Sequence, residues 1–315
     1  MEKCLNQDIQ QLKKLEGQTI QVDNALNNLN FIRESKRLAE EHEWLYHCTT
    51  DVALISILKN KELWLSNLKL VNDAEEADRV DVPEYERTYY ICCFTYDPEI
   101  PEQHWKEYGN MENGVLIGIK PDWVKREATF LCGDKNQKCK SKFEIIFNTE
   151  RNALEYIIEQ QQKGYIVNPF YINAFNFYQV IYDDKLKKNI QGNASMIIGN
   201  EKFYGRSLTP EVAGIIKSTK GICKRFGRTP YEKDWTTEKE VRLKVGIQQY
   251  GIFKNGYELH DNIIMPDVFF PKIAVPLNEN AFKTIKIRFS PNFHDKEKFI
   301  ENITSLLPEN RIDIF

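Results

Sequence analysis

The stretch 234–246, DWTTEKEVRLKVG, sets two carboxylates and a guanidinium at every second position, as Glu238, Glu240 and Arg242. In an extended chain, period two puts these three on one face and Val241 and Leu243 on the other. Such a row fits the solvated ion-pair face of a half-buried strand. It also fits a cleft in which one carboxylate accepts hydrogen bonds from a sugar while the arginine steadies the other. Histidine is scarce, with five in 315 residues, so each position is informative. His47 lies in the strand-like run 44–49, directly ahead of Thr49-Thr50-Asp51, which can cap a helix. It suits a hydrogen-bonded histidine at a core edge or one that faces a ligand. His42 falls in a charged run and reads as solvated, His104 precedes Trp105 in a Pro-rich turn, and His260 and His294 sit in polar loops.

Other motifs are local. Asn72-Asp73 with Glu76 is a turn or helix-cap signal. Trp105 and Tyr108, three apart, share a helical face and form either a core pair or a platform for a flat heterocycle. No HExxH or paired-histidine spacing occurs, so no metal is expected. The motifs GxSxG, GxGxxG after a strand and GxxxxGK[ST] are also missing, which leaves the serine-hydrolase, Rossmann and phosphate-loop classes without their signatures.

The elements that must position these residues are strands with a few helices. Residues 44–49 and 63–66 read as short strands flanking a helix at 52–58, and 67–76 as a polar loop. Residues 88–95 (TYYICCFT) and 114–119 (GVLIGI) are almost wholly apolar, as expected of central strands. Strand-like residues recur at 143–147; 149–164 reads as helix and 165–202 as mostly helical. Later come strand-like residues at 262–275, a strand at 284–289, a helix at 296–307 and a tail at 312–315. Residues 1–43 form a polar arm with thin apolar stripes at Leu5, Ile9, Leu12 and Leu15 and at Leu26, Leu29 and Ile32. Breaks at Gly17 and Val22-Asp23 predict two helices, which must dock on the body or on a second copy to be stable. Strands and helices do not alternate cleanly, so the expected class is α+β, with the arm at 1–43 and a body at 44–315.

A net charge of -3 supplies no global basic field for nucleic acid. One local basic strip, from Lys217 to Arg228 (KSTKGICKRFGR), reads as a solvated face or as a contact for a phosphate-bearing partner. Seven cysteines with no CxxC pair, no apolar run of membrane-spanning length and an opening MEKCLNQDIQQLKK without a signal-peptide core predict a cytoplasmic protein.

The order of these motifs along the chain carries a resemblance. Tyr46-His47-x-Thr49, then Ile57-Leu58, Leu63 and Ser66, Asn72-Asp73-x-x-Glu76, Cys93-Phe94-Thr95, Trp105-x-x-Tyr108-Gly109, Gly114-Val115 and Trp235-x-x-Glu238-x-Glu240-x-Arg242 occur in series. The series resembles an uncharacterised bacterial family, the domain of unknown function 2971, over positions 44–290. Cys48 stands where that family usually has an aromatic residue, and Ala74 where it favours proline. More remotely, the opening Tyr-His-x-Thr strand, the Ile-Leu helix and the late Glu-x-Glu are similar to the ADP-ribosyltransferase fold. There the first motif reads His-Gly-Thr/Ser, so Cys48 replaces the glycine.

That likeness implies a mostly antiparallel sheet core, with a helical insertion at about 127–233, and NAD as substrate. It implies that His47 holds an adenosine ribose hydroxyl and that Glu240, with Glu238 and Arg242 beside it, acts at the nicotinamide ribose. Tyr90, Phe94 or Tyr108 would face the nicotinamide, while Thr49, Ser66 and Thr95 would supply hydrogen bonds. Asn72, Asp73, Glu76, Trp105 and Trp235 complete the motif set. The activity implied is that of a bacterial toxin or anti-phage defence effector modifying an intracellular target. A nucleotide-sensing module signalling through the arm and an RNA-directed transferase are the rival expectations.

Overall fold

In a computed structural model of the protein, the described residues are 19–72, 89–132, 137–142, 165–167, 175–184, 196–198, 201–203, 214–224, 229–246, 253–254, 258–259, 271–307 and 311–315. They begin with helix α1 (Thr19–Glu40), then strand β1 (Leu45–Thr50), helix α2 (Asp51–Asn60) and strand β2 (Glu62–Asn67). Strands β3 (Tyr89–Thr95), β4 (Gly114–Ile119), β5 (Glu127–Cys132), β6 (Gln137–Lys142), β7 (Tyr165–Val167) and β8 (Phe175–Gln179) follow. Strands β9 (Glu240–Gly246), β10 (Lys272–Pro276) and β11 (Thr284–Phe289), helix α3 (Lys296–Leu306) and strand β12 (Arg311–Ile314) complete the main body. The twelve strands form one sheet in the order β12-β11-β4-β1-β3-β2-β10-β5-β6-β7, with β9 pairing β3 on one side and β8 on the other. Among the described residues of this sheet, only the β11–β12 and β6–β7 pairs are parallel. The class is α+β with a mostly antiparallel sheet.

Local chemistry explains the helix next to the site. The Thr50 side chain caps α2 by accepting from the Ala53 amide at 3.3 Å, and Lys61 in the left-handed region ends it. Leu54, Ile57 and Leu58 then face the sheet. They join a core with Leu63 and Leu65 of β2, Val115 and Ile117 of β4, Val241 and Leu243 of β9, and Phe299 and Ile303 of α3. At nothing more than about 25 cal/mol per Å2 of apolar surface, such a contiguous core dominates the folding energy.

Several expectations need correction. The arm does not break at Val22-Asp23: α1 runs through it as one helix, and Gly17 lies outside the described residues. Val and Asp cost a helix only about half a kcal/mol each, which docking offsets. The described part of α1 packs on β8, with Ile32 against Tyr178, Ile215 and Ile216 and the Ser35 hydroxyl donating to the Gln179 carbonyl at 2.7 Å. Within 165–202, expected to be mostly helical, the described residues are chiefly strands, because Phe175, Phe177 and Tyr178 are rings that suit a pleated surface; 168–174, 185–195 and 199–200 lie outside the described residues. The described residues of the inserted region 127–233 are likewise chiefly strands, and 133–136, 143–164, 168–174, 185–195, 199–200, 204–213 and 225–228 lie outside them. Of 262–275, expected to be strand-like, the residues from Lys272 on belong to strand β10, and 262–270 lies outside the described residues. The expected tail at 312–315 is largely strand β12.

Candidate functional site

The site lies where β3 meets two strands on the same edge. Along its other edge β3 pairs with β9 throughout, from Glu240 opposite Thr95 to Gly246 opposite Tyr89. On the near edge, β1 meets β3 only at Thr95, opposite Tyr46, whereas β2 meets it at Tyr90 and Ile91. Cys93, between those contacts, pairs with neither strand. The His47 side chain closes the gap, with Nδ1 2.8 Å from the Cys93 carbonyl. A carbonyl can only accept, so Nδ1 carries the proton and Nε2 presents a lone pair in the neutral ring. Burial lowers the His47 pKa below its ordinary value, against the opposing effect of the Cys93 bond, which keeps the ring neutral at pH 7.

This fork opens into a small cleft of about 70 Å3, lined by Tyr46, His47, Cys48, Cys93, Phe94, Thr95, His104, Tyr108, Glu238 and Glu240. That holds one small polar moiety of a ligand and is well below the size of a pocket that encloses a whole ligand. Tyr108 and His104 come from a turn of π-helix at Trp105–Gly109 and the short helix before it. The turn lies close against β4: a Cβ on Gly114 would sit 2.5 Å from the Asn110 carbonyl oxygen.

Below the cleft, six charged side chains are interlocked. The run 234–246 is not one half-buried strand. Trp235–Glu238 is a 3-10 turn, Lys239 takes φ 46°, and β9 starts at Glu240 with every residue buried. Nor is the Glu-Glu-Arg row a solvated face, since Glu238 and Glu240 are 4% exposed and Arg242 is 2% exposed. Arg242 grips Glu240 at two points, Nε to Oε1 at 2.7 Å and Nη2 to Oε2 at 3.0 Å, while Nη1 donates to the Gly214 carbonyl at 3.0 Å. Lys217 bridges the carboxylates, 3.3 Å from Glu238 and 3.4 Å from Glu240. Glu238 also accepts from Lys233 at 2.7 Å and from the Tyr108 hydroxyl at 2.5 Å. Lys233 reaches on to Glu107, which accepts from Tyr231 and Gln103 as well.

Three carboxylates thus meet three cations, and the buried charge balances. Burial alone would raise the Glu238 pKa, but the Lys217 and Lys233 ammoniums and the Tyr108 bond hold it well below the usual carboxylate range. Burial, then Glu238, pushes the Tyr108 phenol well above its own. Trp235, one of the motif residues, is the platform: Lys217 lies 3.8 Å and Lys233 4.9 Å from its ring centre.

The structure brings His47, Phe94, Thr95, Tyr108, Glu238 and Glu240 to one cleft, with Arg242 directly beneath. Thr95 already spends its hydroxyl on Asp97, which limits it as a ligand for substrate. Thr49, Ser66 and Tyr90 do not line the cleft: Ser66 pairs opposite Ile91 on β2, and Tyr90 is buried, its phenol pushed up to about 12 by that burial. Trp105 is core, packed with Tyr46 and Leu116. The Asn72 carbonyl accepts from the Lys224 amide, and Asp73 and Glu76 lie outside the described residues. His42 is not solvated; it stacks on Tyr96 at 4.4 Å and bonds Gln179 at 2.9 Å. Lys217, the first residue of the basic strip, is buried at 3% exposure rather than offered to a partner, and 225–228 lies outside the described residues.

Sequence reasoning missed His104, Glu107 and Lys233 as members of the site. A signal for Lys233 exists: period two from Tyr231 to Trp235 sets it on a face between two aromatic residues. No such signal marks His104, whose place depends on the π turn. Among the described residues no group of three His, Cys, Asp or Glu could hold a metal ion, and no helix is long and apolar enough to cross a membrane. No protein-family model matches the sequence, and neither a curated protein nor a solved structure gives a match.

Proposed function

We propose that this cleft binds NAD and breaks its nicotinamide–ribose bond, passing ADP-ribose to water or to an acceptor. The observation that carries the proposal is the meeting of His47, on β1, and Glu240, on β9, in one cleft on either side of β3. This arrangement agrees with the resemblance to the ADP-ribosyltransferase fold, in which a first-strand histidine and a late-strand glutamate hold the two riboses. Fold likeness alone does not make a function, so the chemistry has to stand by itself.

The nicotinamide ring of NAD is a flat cation, and the cleft offers it the rings of Tyr46, Phe94 and Tyr108 above two carboxylates. As the glycosidic bond lengthens, positive charge moves onto the ribose, as in sugar hydrolysis. A carboxylate fixed in advance beside that charge stabilises the transition state without reorganising. Arg242 supplies the fixing, because its two-point grip sets the plane of Glu240. His47, neutral and with Nε2 open, accepts a hydrogen bond from a ribose hydroxyl.

Glu240→Gln removes the charge and keeps the shape. The proposal expects nicotinamide release to fall by about 10²-fold or more while NAD affinity stays within a few-fold. Parallel loss of affinity and turnover would instead mark Glu240 as a structural residue. A second reading, a non-catalytic nucleotide sensor, draws on one observation: both carboxylates are already saturated by Lys217, Lys233 and Arg242. Tight NAD binding without turnover would favour it.

A further inference from the structure

Among the cleft-lining side chains, most proton acceptors are spent. Both Glu238 oxygens accept from Lys217, Lys233 and Tyr108, and both Glu240 oxygens from Arg242 and Lys217. The Tyr108 hydroxyl is committed to Glu238, and the Cys93 thiol, on the exposed position of β3, is held protonated by desolvation within the cleft and then by the charge of Glu240. Two imidazoles remain. Neither ring nitrogen of His104, nor Nε2 of His47, has a hydrogen-bond partner among the described residues.

The two rings differ in what surrounds them. Among the described residues, no carboxylate acts on His47; burial and the Cys93 carbonyl set its protonation. His104 stands over Tyr108, ring centres 4.7 Å apart, within reach of the charges on Glu238, Glu107 and Glu240, with Lys233 opposing them. A proton arriving on His104 is therefore stabilised by the network under the cleft, whereas one arriving on His47 is not. Burial nonetheless lowers the His104 pKa from its ordinary value, so the ring starts out neutral and able to accept.

We propose that His104 is the general base of this site, activating the hydroxyl that receives ADP-ribose. The proposal rests on the NAD-cleaving reading and adds the class of acceptor: an O–H nucleophile, either water or a hydroxylated molecule. The C–N bond breaks with its electron pair going to the nicotinamide nitrogen, which becomes neutral. The acceptor oxygen forms the new bond to the ribose carbon, and its proton moves to a His104 nitrogen, giving an imidazolium that later releases it to solvent. Glu238 is then a positioning residue, which holds Tyr108 and favours the imidazolium, rather than the base itself.

The test uses the full chain and its His104→Ala variant, with nicotinamide release and calorimetric NAD binding measured side by side. The expected result is a loss of about 10²-fold or more in turnover, unchanged NAD affinity, and partial recovery on adding free imidazole. Wild-type turnover should also rise with pH through the His104 pKa, below 6.5, and this limb should vanish in the variant. If the alanine variant does not fold, His104→Gln carries the same comparison. Turnover by either variant at the wild-type rate overturns the role of His104 and leaves the NAD reading standing. A wild-type protein that neither binds nor cleaves NAD overturns both. Water as acceptor yields free ADP-ribose, whereas a hydroxylated acceptor such as added methanol yields its ADP-ribosyl O-glycoside.

Discussion

Lys233 is a lysine buried for its charge, wedged between Glu107 and Glu238 and over the rings of Tyr108 and Trp235. Removing one member of a buried ionic set leaves its partners uncompensated, which costs about 3–5 kcal/mol. Lys233→Met should therefore lower stability by that order in a denaturant titration at pH 7, more than a surface lysine change. The pH dependence has a definite sign. The Glu238 pKa is depressed in the fold, so its contribution is complete above the ordinary carboxylate value of 4.5 and is lost as pH falls below it. His47 and His104 are depressed too, so they favour the fold above pH 6.5 and weaken it as pH falls through that region. Stability should accordingly decline in two stages on acidification, and Lys233→Met should move the lower stage to higher pH. Stability that rose between pH 7 and 5 would contradict this network. At this scale the sequence was partly legible: alternation flagged Glu238, Glu240 and Arg242 as a group. Their burial was not legible, because the compensating cations Lys217 and Lys233 come from strands outside the row.

Among the elements, α1 has the least predictable role from sequence. Its stripe is thin, and nothing local says which surface it covers. The structure supplies the partner: Ile32 is buried on Tyr178, Ile215 and Ile216, Ala39 enters the main core, and His42 just beyond the helix stacks on Tyr96, the neighbour of Thr95. Ile32→Ala should cost about 2–4 kcal/mol, a core-sized penalty. A chain starting at Glu43 should melt well below the full chain, since Tyr178 and Ile216 lose their cover; an unchanged melting temperature would show that α1 is not a brace. Solution scattering of the two forms would show whether the arm also governs assembly. The strands and α2 were far easier to read, because apolar runs, the Thr50 cap and period two are local signals. The stretch 165–202 was not, since aromatic residues at mixed spacing satisfy either period until a neighbouring strand such as β9 selects one.

At the scale of the molecule, the described body is built on a twelve-stranded sheet whose strands part on one side of β3, and the opening is filled by a histidine rather than by a backbone amide. That arrangement brings together residues some 190 positions apart (47 and 240), which no local pattern can announce. Only the order of motifs along the chain hinted at it. The central claim, that this cleft cleaves NAD, is tested most directly by incubating the full chain with NAD and following nicotinamide by chromatography, with Glu240→Gln alongside. The account predicts nicotinamide accumulating in proportion to enzyme and time, and suppressed by about 10²-fold or more in the variant. Nicotinamide at the same rate from both proteins, or from neither, would contradict it.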